Sequence, residues 1–297
     1  MSTRCAQALL AGLVDYAGLF PPSGLALPEA VAEYARWLAS PQSWLLGRFV
    51  VPATRLAELT LVEGPLPAAG SSRPWRLSAL LGPDTRADLA RVDAFGAAQA
   101  GRAHVDSVEL TAQSPGEADA ALAVLPEGLA AYVEQPPAND LDALLAVLRA
   151  RGARAKIRTG GIVPEAIPPA AEVARFVAAC ARAGVAFKAT AGLHHPVRGE
   201  HALSSAAGAP RAVTHGFLNV FAAAAFARGG AAADEIESVL LETDPAAFAL
   251  ADEALSWRYL SAPAESLAEW RSGFATSFGS CSIAEPVADL RALGMIA

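Results

Sequence analysis

Short apolar runs and amphipathic stretches alternate along the 297-residue chain, and that alternation predicts its architecture. Eight runs read as strands: LVDYAGLF (13–20), GRFVVP (47–52), RLSALLGP (76–83), VDSVELTA (105–112), LAAYVEQP (129–136), RAKIRTGG (154–161), VAFKATAGL (185–193) and ATSFGSCS (275–282). Between them LPEAVAEYARWLAS, LDALLAVLRARG and AAEVARFVAACARAG carry apolar residues at helical spacing. Strands recurring every ~25–30 residues with a helix between are βα units. Eight units predict a parallel α/β fold, the TIM (β/α)8 barrel.

One interval breaks the rhythm. Residues 196–273 separate the seventh and eighth predicted strands and contain THGFLNVFAAAAFARGG, DEIESVLLE and PAESLAEWRSGF, all of helical pattern. The expectation is a long helical insertion that closes over a site or forms an interface. No Gly/Ser-rich or Pro-rich linker divides the chain, so residues 1–297 read as a single domain.

Composition narrows the function classes. Charged residues are 18% and the net charge is -7, with arginines scattered rather than clustered, which argues against nucleic acid as a partner. No uninterrupted apolar run approaches the ~20 residues that span a bilayer. ALLAGLV near the start is cut by Asp15 and follows a single arginine, a poor signal peptide. Cys5, Cys180 and Cys281 form neither a disulfide framework nor a zinc spacing, so a cytoplasmic location without cofactor is expected. The partner expected is a small carbonyl compound; a homo-oligomer is compatible with the sequence.

The candidate chemistry lies in the basic residues. Of 23 Lys and Arg side chains only Lys156 and Lys188 are lysine. Arginine serves most solvated sites but cannot deprotonate, so a site that needs a neutral amine keeps lysine. Alternation puts Lys156 and Arg158 on one strand face, and Lys188 and Thr190 on one face of the next strand. A second cation nearby disfavours the charged form of an amine. Lys156 is therefore expected to be a Schiff-base nucleophile and Lys188 its electrostatic activator. The bland reading is that the lysines close salt bridges to Glu109, Glu134 or Asp106.

Five short motifs resemble deoxyribose-phosphate aldolase and the wider class I aldolase barrels. KIRTGG resembles the family's Schiff-base strand, with Thr159 and Gly160 matching, and VAFKATAG resembles the next strand with its second lysine. HVDSVEL resembles the strand of the proton-relaying aspartate, SFGSCS the turn after the last strand, and VDYAGLF the opening strand with Asp15. The resemblance implies a metal-independent lyase of carbohydrate metabolism, with Lys156, Lys188 and Asp106 catalytic. Two departures concern the substrate: Arg158 replaces a small polar residue, and Ala191-Gly192 replaces a Gly-Gly pair that helps hold a phosphate.

Further substrate contacts are expected from Arg158, Asp15, Glu134, Thr190 and His194, and from Gly279, Ser280 and Ser282, whose turn precedes a helix and suits a carboxylate or phosphate. That turn also reads as a cap, with Ser282 at the N-cap and Glu285 three residues on. Glu109 is set aside for Asp106, because a regular strand cannot aim both inward. Cys281 has no evident base nearby and reads as packing. Two other readings stay open: a metal-dependent hydrolase or isomerase built on His194, His195 and His215, and a non-catalytic barrel that binds a small anion.

Overall fold

The computed structural model describes residues 2–62, 64, 66–136 and 140–296. The chain opens with α1 (Arg4–Leu10), β1 (Val14–Tyr16), α2 (Leu27–Leu38), β2 (Leu46–Pro52) and α3 (Leu56–Thr60). The alternation continues through β3 (Trp75–Leu80), α4 (Thr85–Ala98), β4 (Ala103–Thr111), α5 (Pro115–Leu122), β5 (Ala130–Glu134) and α6 (Leu141–Arg151). Next come β6 (Arg154–Arg158), α7 (Ala170–Ala183) and β7 (Phe187–Thr190). The remainder is β8 (Gly199–Ala202), β9 (Arg211–Thr214), α8 (Phe217–Arg228), α9 (Ala233–Leu241), β10 (Phe248–Leu250), β11 (Ala254–Trp257), β12 (Leu260–Pro263), α10 (Ala264–Gly273), β13 (Ala275–Ser280) and α11 (Ala284–Ala292).

β1 to β7 follow one another round a closed barrel, and β13 joins β7 to β1. Every pairing in the ring is parallel. This is the expected TIM (β/α)8 barrel, and its eight strands coincide with the eight apolar runs, β2, β3 and β4 starting one or two residues earlier. The helices begin and end where side-chain chemistry dictates. Asp84, Ser114 and Asp140 accept backbone N–H groups at the starts of α4, α5 and α6. Gly152 and Gly184 end α6 and α7 at φ 65°, a left-handed turn that costs glycine little. No helix among the described residues is long and apolar enough to cross a membrane.

The interval between β7 and β13 differs from the expected helical insertion. It holds α8, α9 and α10, but also the β8–β9 hairpin and the antiparallel sheet β10–β11–β12. Every residue of α8 from Phe217 to Phe226 is buried. That helix packs against α7, α9, α10 and β13, which explains a sequence apolar on all faces. Asn219 within it donates to the carbonyls of Val239 and Glu242 and accepts from the Arg198 amide, satisfying its buried amide group. The hairpin and the loop that leads into it reach the barrel mouth, where His194, His195, residues 201–205 and Arg211 line a cavity. The rest of the interval builds the barrel wall.

Candidate functional site

β6 and β7 pair with Lys156 opposite Lys188, so both side chains enter the barrel at one level. Both are buried. Lys188 Nζ donates to Asp15 Oδ2 at 2.6 Å and to Glu109 Oε1 at 2.7 Å. Lys156 Nζ lies 2.8 Å from Glu109 Oε2 and 3.1 Å from Glu134 Oε2. Glu134 in turn meets Arg158 Nε at 3.0 Å. Acids and bases thus alternate in the order Asp15, Lys188, Glu109, Lys156, Glu134, Arg158, drawn from five strands. Three carboxylates face three cations, which is how buried charges are tolerated.

The deep end of this chain is the more rigid. Asp15 also accepts from Ser277 Oγ at 2.7 Å and from the Arg48 amide at 2.8 Å. A Cβ at Gly47 would stand 2.3 Å from Asp15 Oδ1, so only glycine there leaves room for the carboxylate. Glu109 Oε1 accepts from Ser78 Oγ at 2.8 Å, and the Tyr132 ring lies 5.3 Å from Lys188 Nζ. Burial opposes the Lys188 ammonium, but Asp15 and Glu109 outweigh it and raise its pKa. Burial likewise opposes the Glu109 carboxylate, and the two lysines overcome this, holding it well below the ordinary range. The expected role of Lys188 is thereby corrected. Its charge is neutralised by Asp15 and Glu109, and a carboxylate bridges the two amines.

Asp106 is the second correction. The β3–β4 register passes from Leu77↔Val105 to Ser78↔Ser107, leaving Asp106 as the extra residue of a bulge. Its carboxylate is held by Arg48, and by Arg76 Nε at 2.7 Å, near the N-terminal ends of the strands. Burial raises its pKa, but these arginines prevail and lower it. Asp106 contacts neither lysine; the carboxylate that does so on this strand is Glu109.

The loops after β6 and β7 pass backbone to backbone. A Cβ on either Gly160 or Gly192 would lie 2.9 Å from the other's Cα, and Gly192 has φ +79°. Thr159 Oγ1 donates to the Ala191 carbonyl at 2.7 Å, tying the loops together. Thr190, at the end of β7, lines the cavity together with Gly279 and Ser282. Ser280 does not line it: its hydroxyl donates to the Ser282 carbonyl at 2.6 Å. Two amides of this turn are already occupied, that of Ser282 by Ser280 Oγ and that of Glu285 by Ser282 Oγ. The N-cap of α11 is Ile283 rather than the expected Ser282, although Ser282 Oγ accepts the Glu285 amide; the Glu285 side chain turns to His194, and the turn offers an anion less than its sequence promised.

The histidines disperse. His194 Nδ1 pairs with Glu285 Oε2 at 2.8 Å, and His195 Nδ1 with Asp289 Oδ2 at 2.6 Å. His195 stacks on His201 of the hairpin with ring centroids 3.5 Å apart. His215 is buried behind the mouth with Nε2 2.8 Å from the Pro168 carbonyl. Among the described residues no group of three or more His, Cys, Asp and Glu side chains is arranged to hold a metal. His194 also brings an unforeseen neighbour, since its Nε2 lies 3.8 Å from Cys281 Sγ.

These groups meet at the C-terminal end of the strands, in a cavity of about 980 Å³. Glu109, Lys156 and Lys188 lie in its wall, with Arg158 and Arg211 among its basic residues and Phe20 to Ser23 on the β1 side. Catalytic groups of such barrels come from this face. Compared with the models of known families, with curated proteins and with solved structures, the chain matches none.

Proposed function

We propose that the mouth of this barrel is a Schiff-base site of the class I aldolase kind, in which Lys156 adds to the carbonyl of a small substrate. The observation that carries this reading is the position of Lys156: its amine borders the cavity, held between two carboxylates, with the second lysine beside it neutralised by Asp15 and Glu109. An iminium keeps the positive charge of the ammonium it replaces. The cradle of Glu109 and Glu134 therefore suits both, and preorganised charge of this kind stabilises the electron-poor intermediate.

The proton path follows from what each carboxylate already holds. Glu109 is fixed by Lys188, Ser78 and Lys156 and stays anionic, serving as counter-ion to the iminium. Glu134 has one oxygen on Lys156 and the other on the half-exposed Arg158, so a proton passed to it has a route to the cavity rim. In this reading Glu134 takes the ammonium proton, the free amine attacks, and the same carboxyl protonates the departing hydroxyl of the carbinolamine. The resulting iminium draws electrons from the neighbouring C–C or C–H bond. Arg158 and Arg211 favour a substrate carrying a carboxylate or phosphate.

Lys156→Arg tests the proposal. It keeps a positive charge between Glu109 and Glu134, so folding should persist while capture of aldehydes, ketones and 2-oxo acids ceases. Undiminished capture by a folded Lys156→Arg protein would overturn it.

A further inference from the structure

Cys281 follows the last residue of β13 and borders the same cavity. His194 comes from the loop after β7, 87 residues away, and its Nε2 stands 3.8 Å from the thiol sulfur. The opposite ring nitrogen is held 2.8 Å from Glu285 Oε2, at the start of α11. Nucleophile, base and orienting carboxylate thus stand in series, Cys281 and Glu285 from the turn and helix that follow β13 and His194 from the loop after β7, the arrangement that activates a thiol. We propose that Cys281, with His194 and Glu285, is a second nucleophilic centre of the cavity, one that adds reversibly to uncharged aldehydes. It stands apart from the lysine chemistry and survives if that reading fails.

The electrostatics agree. Burial opposes the His194 imidazolium, but its bonds to Cys281 and Glu285 prevail and raise its pKa to about 9. Burial opposes the Cys281 thiolate, and His194 and the Ser23 hydroxyl together outweigh it and lower its pKa. Other ionisable neighbours are the Tyr16 phenol, which burial keeps neutral, and, on the far side of Glu285, His195 with its partner Asp289 and the His201 ring stacked on it. Both shifts favour a thiolate beside an imidazolium over two neutral groups. In the addition, Sγ forms a bond to the carbonyl carbon, the C=O π pair moves to oxygen, and His194 Nε2 supplies its proton. The product is a neutral hemithioacetal beside a neutral imidazole, and reversal restores both.

Alkylation by iodoacetamide, mapped by mass spectrometry across pH, tests the proposal. Cys5 and Cys180 are fully buried, so their labelling reports unfolding. The native protein should label at Cys281 with a rate that rises less steeply between about pH 6 and 8.5 than that of a free thiol. An ordinary thiol speeds up roughly a hundredfold over that span, given a free-cysteine pKa near 8.5. His194→Gln should restore that steep profile, and Glu285→Gln should fall between, guarding against a His194 variant that fails to fold. Prior addition of propionaldehyde should protect Cys281 in both the native protein and Lys156→Arg. A steep native profile, or protection that vanishes in Lys156→Arg, would overturn the proposal.

Discussion

Glu109 bridges Lys156 and Lys188, with one carboxylate oxygen 2.8 Å from the first amine and the other 2.7 Å from the second. The two lysines share a level in the barrel because β6 and β7 pair them directly. With Glu109 between them, Lys188 does not act on Lys156 as a bare neighbouring cation. It anchors the carboxylate that in turn holds Lys156 in place.

Removing that anchor should be costly. Lys188→Met leaves Asp15 and Glu109 buried without their shared cation, and loss of one partner from a buried charge cluster costs about 3–5 kcal/mol. Urea unfolding should show this loss, and Asp15→Asn combined with Lys188→Met should recover part of it. Additive single effects would mean that the pair does not interact as its 2.6 Å contact implies.

The two carboxylates Glu134 and Asp106 should separate by function. Glu134→Gln removes the proposed proton carrier and should slow imine formation by about 10²–10⁴-fold, the usual range for a general acid–base group. Asp106→Asn should leave that rate within about threefold and act on stability, because Asp106 serves Arg48 and Arg76. Rates of borohydride-trapped adduct formation decide between them. Equal losses in both variants would return the relay to Asp106.

Stability should fall at both ends of the pH scale. Glu109 has a depressed folded pKa, so its contribution is present above its ordinary value of 4.5 and disappears as pH drops toward the folded value. Lys188 has a raised folded pKa, so its contribution is complete below the ordinary 10.5 and is lost as pH climbs through the folded value. Thermal melts of the native protein should therefore decline below about pH 4.5 and above about pH 10.5, given these linkage signs. Glu109→Gln should flatten the acid limb, and an unaltered limb would assign it to other carboxylates.

The barrel is legible in the sequence because each strand is a short apolar run and some intervening helices, α2 and α7 most clearly, carry a helical period. Lys156 and Lys188 are legible as a pair for the same reason, since successive parallel strands bring matched positions together. Glu109 is hidden by the bulge at Asp106: the extra residue shifts the alternation, and nothing in HVDSVEL marks it. Cys281 and His194 lie too far apart in sequence for spacing to join them. The hairpin at the mouth is obscured by the stronger helical signals that follow, and α8 proves to be wall because ten consecutive residues, nine of them apolar, can be buried only between other elements. His215 looks like a ligand by its neighbours in sequence, yet its strand end turns it toward the Pro168 carbonyl.

The central claim concerns one amine, and mass mapping after borohydride reduction tests it most directly. Incubation with a panel of small aldehydes, ketones and 2-oxo acids, then reduction and digestion, should leave a stable adduct on the peptide containing Lys156, none on Lys188, and none in Lys156→Arg. An adduct on Lys188 instead, or no adduct with any carbonyl compound, would contradict the account.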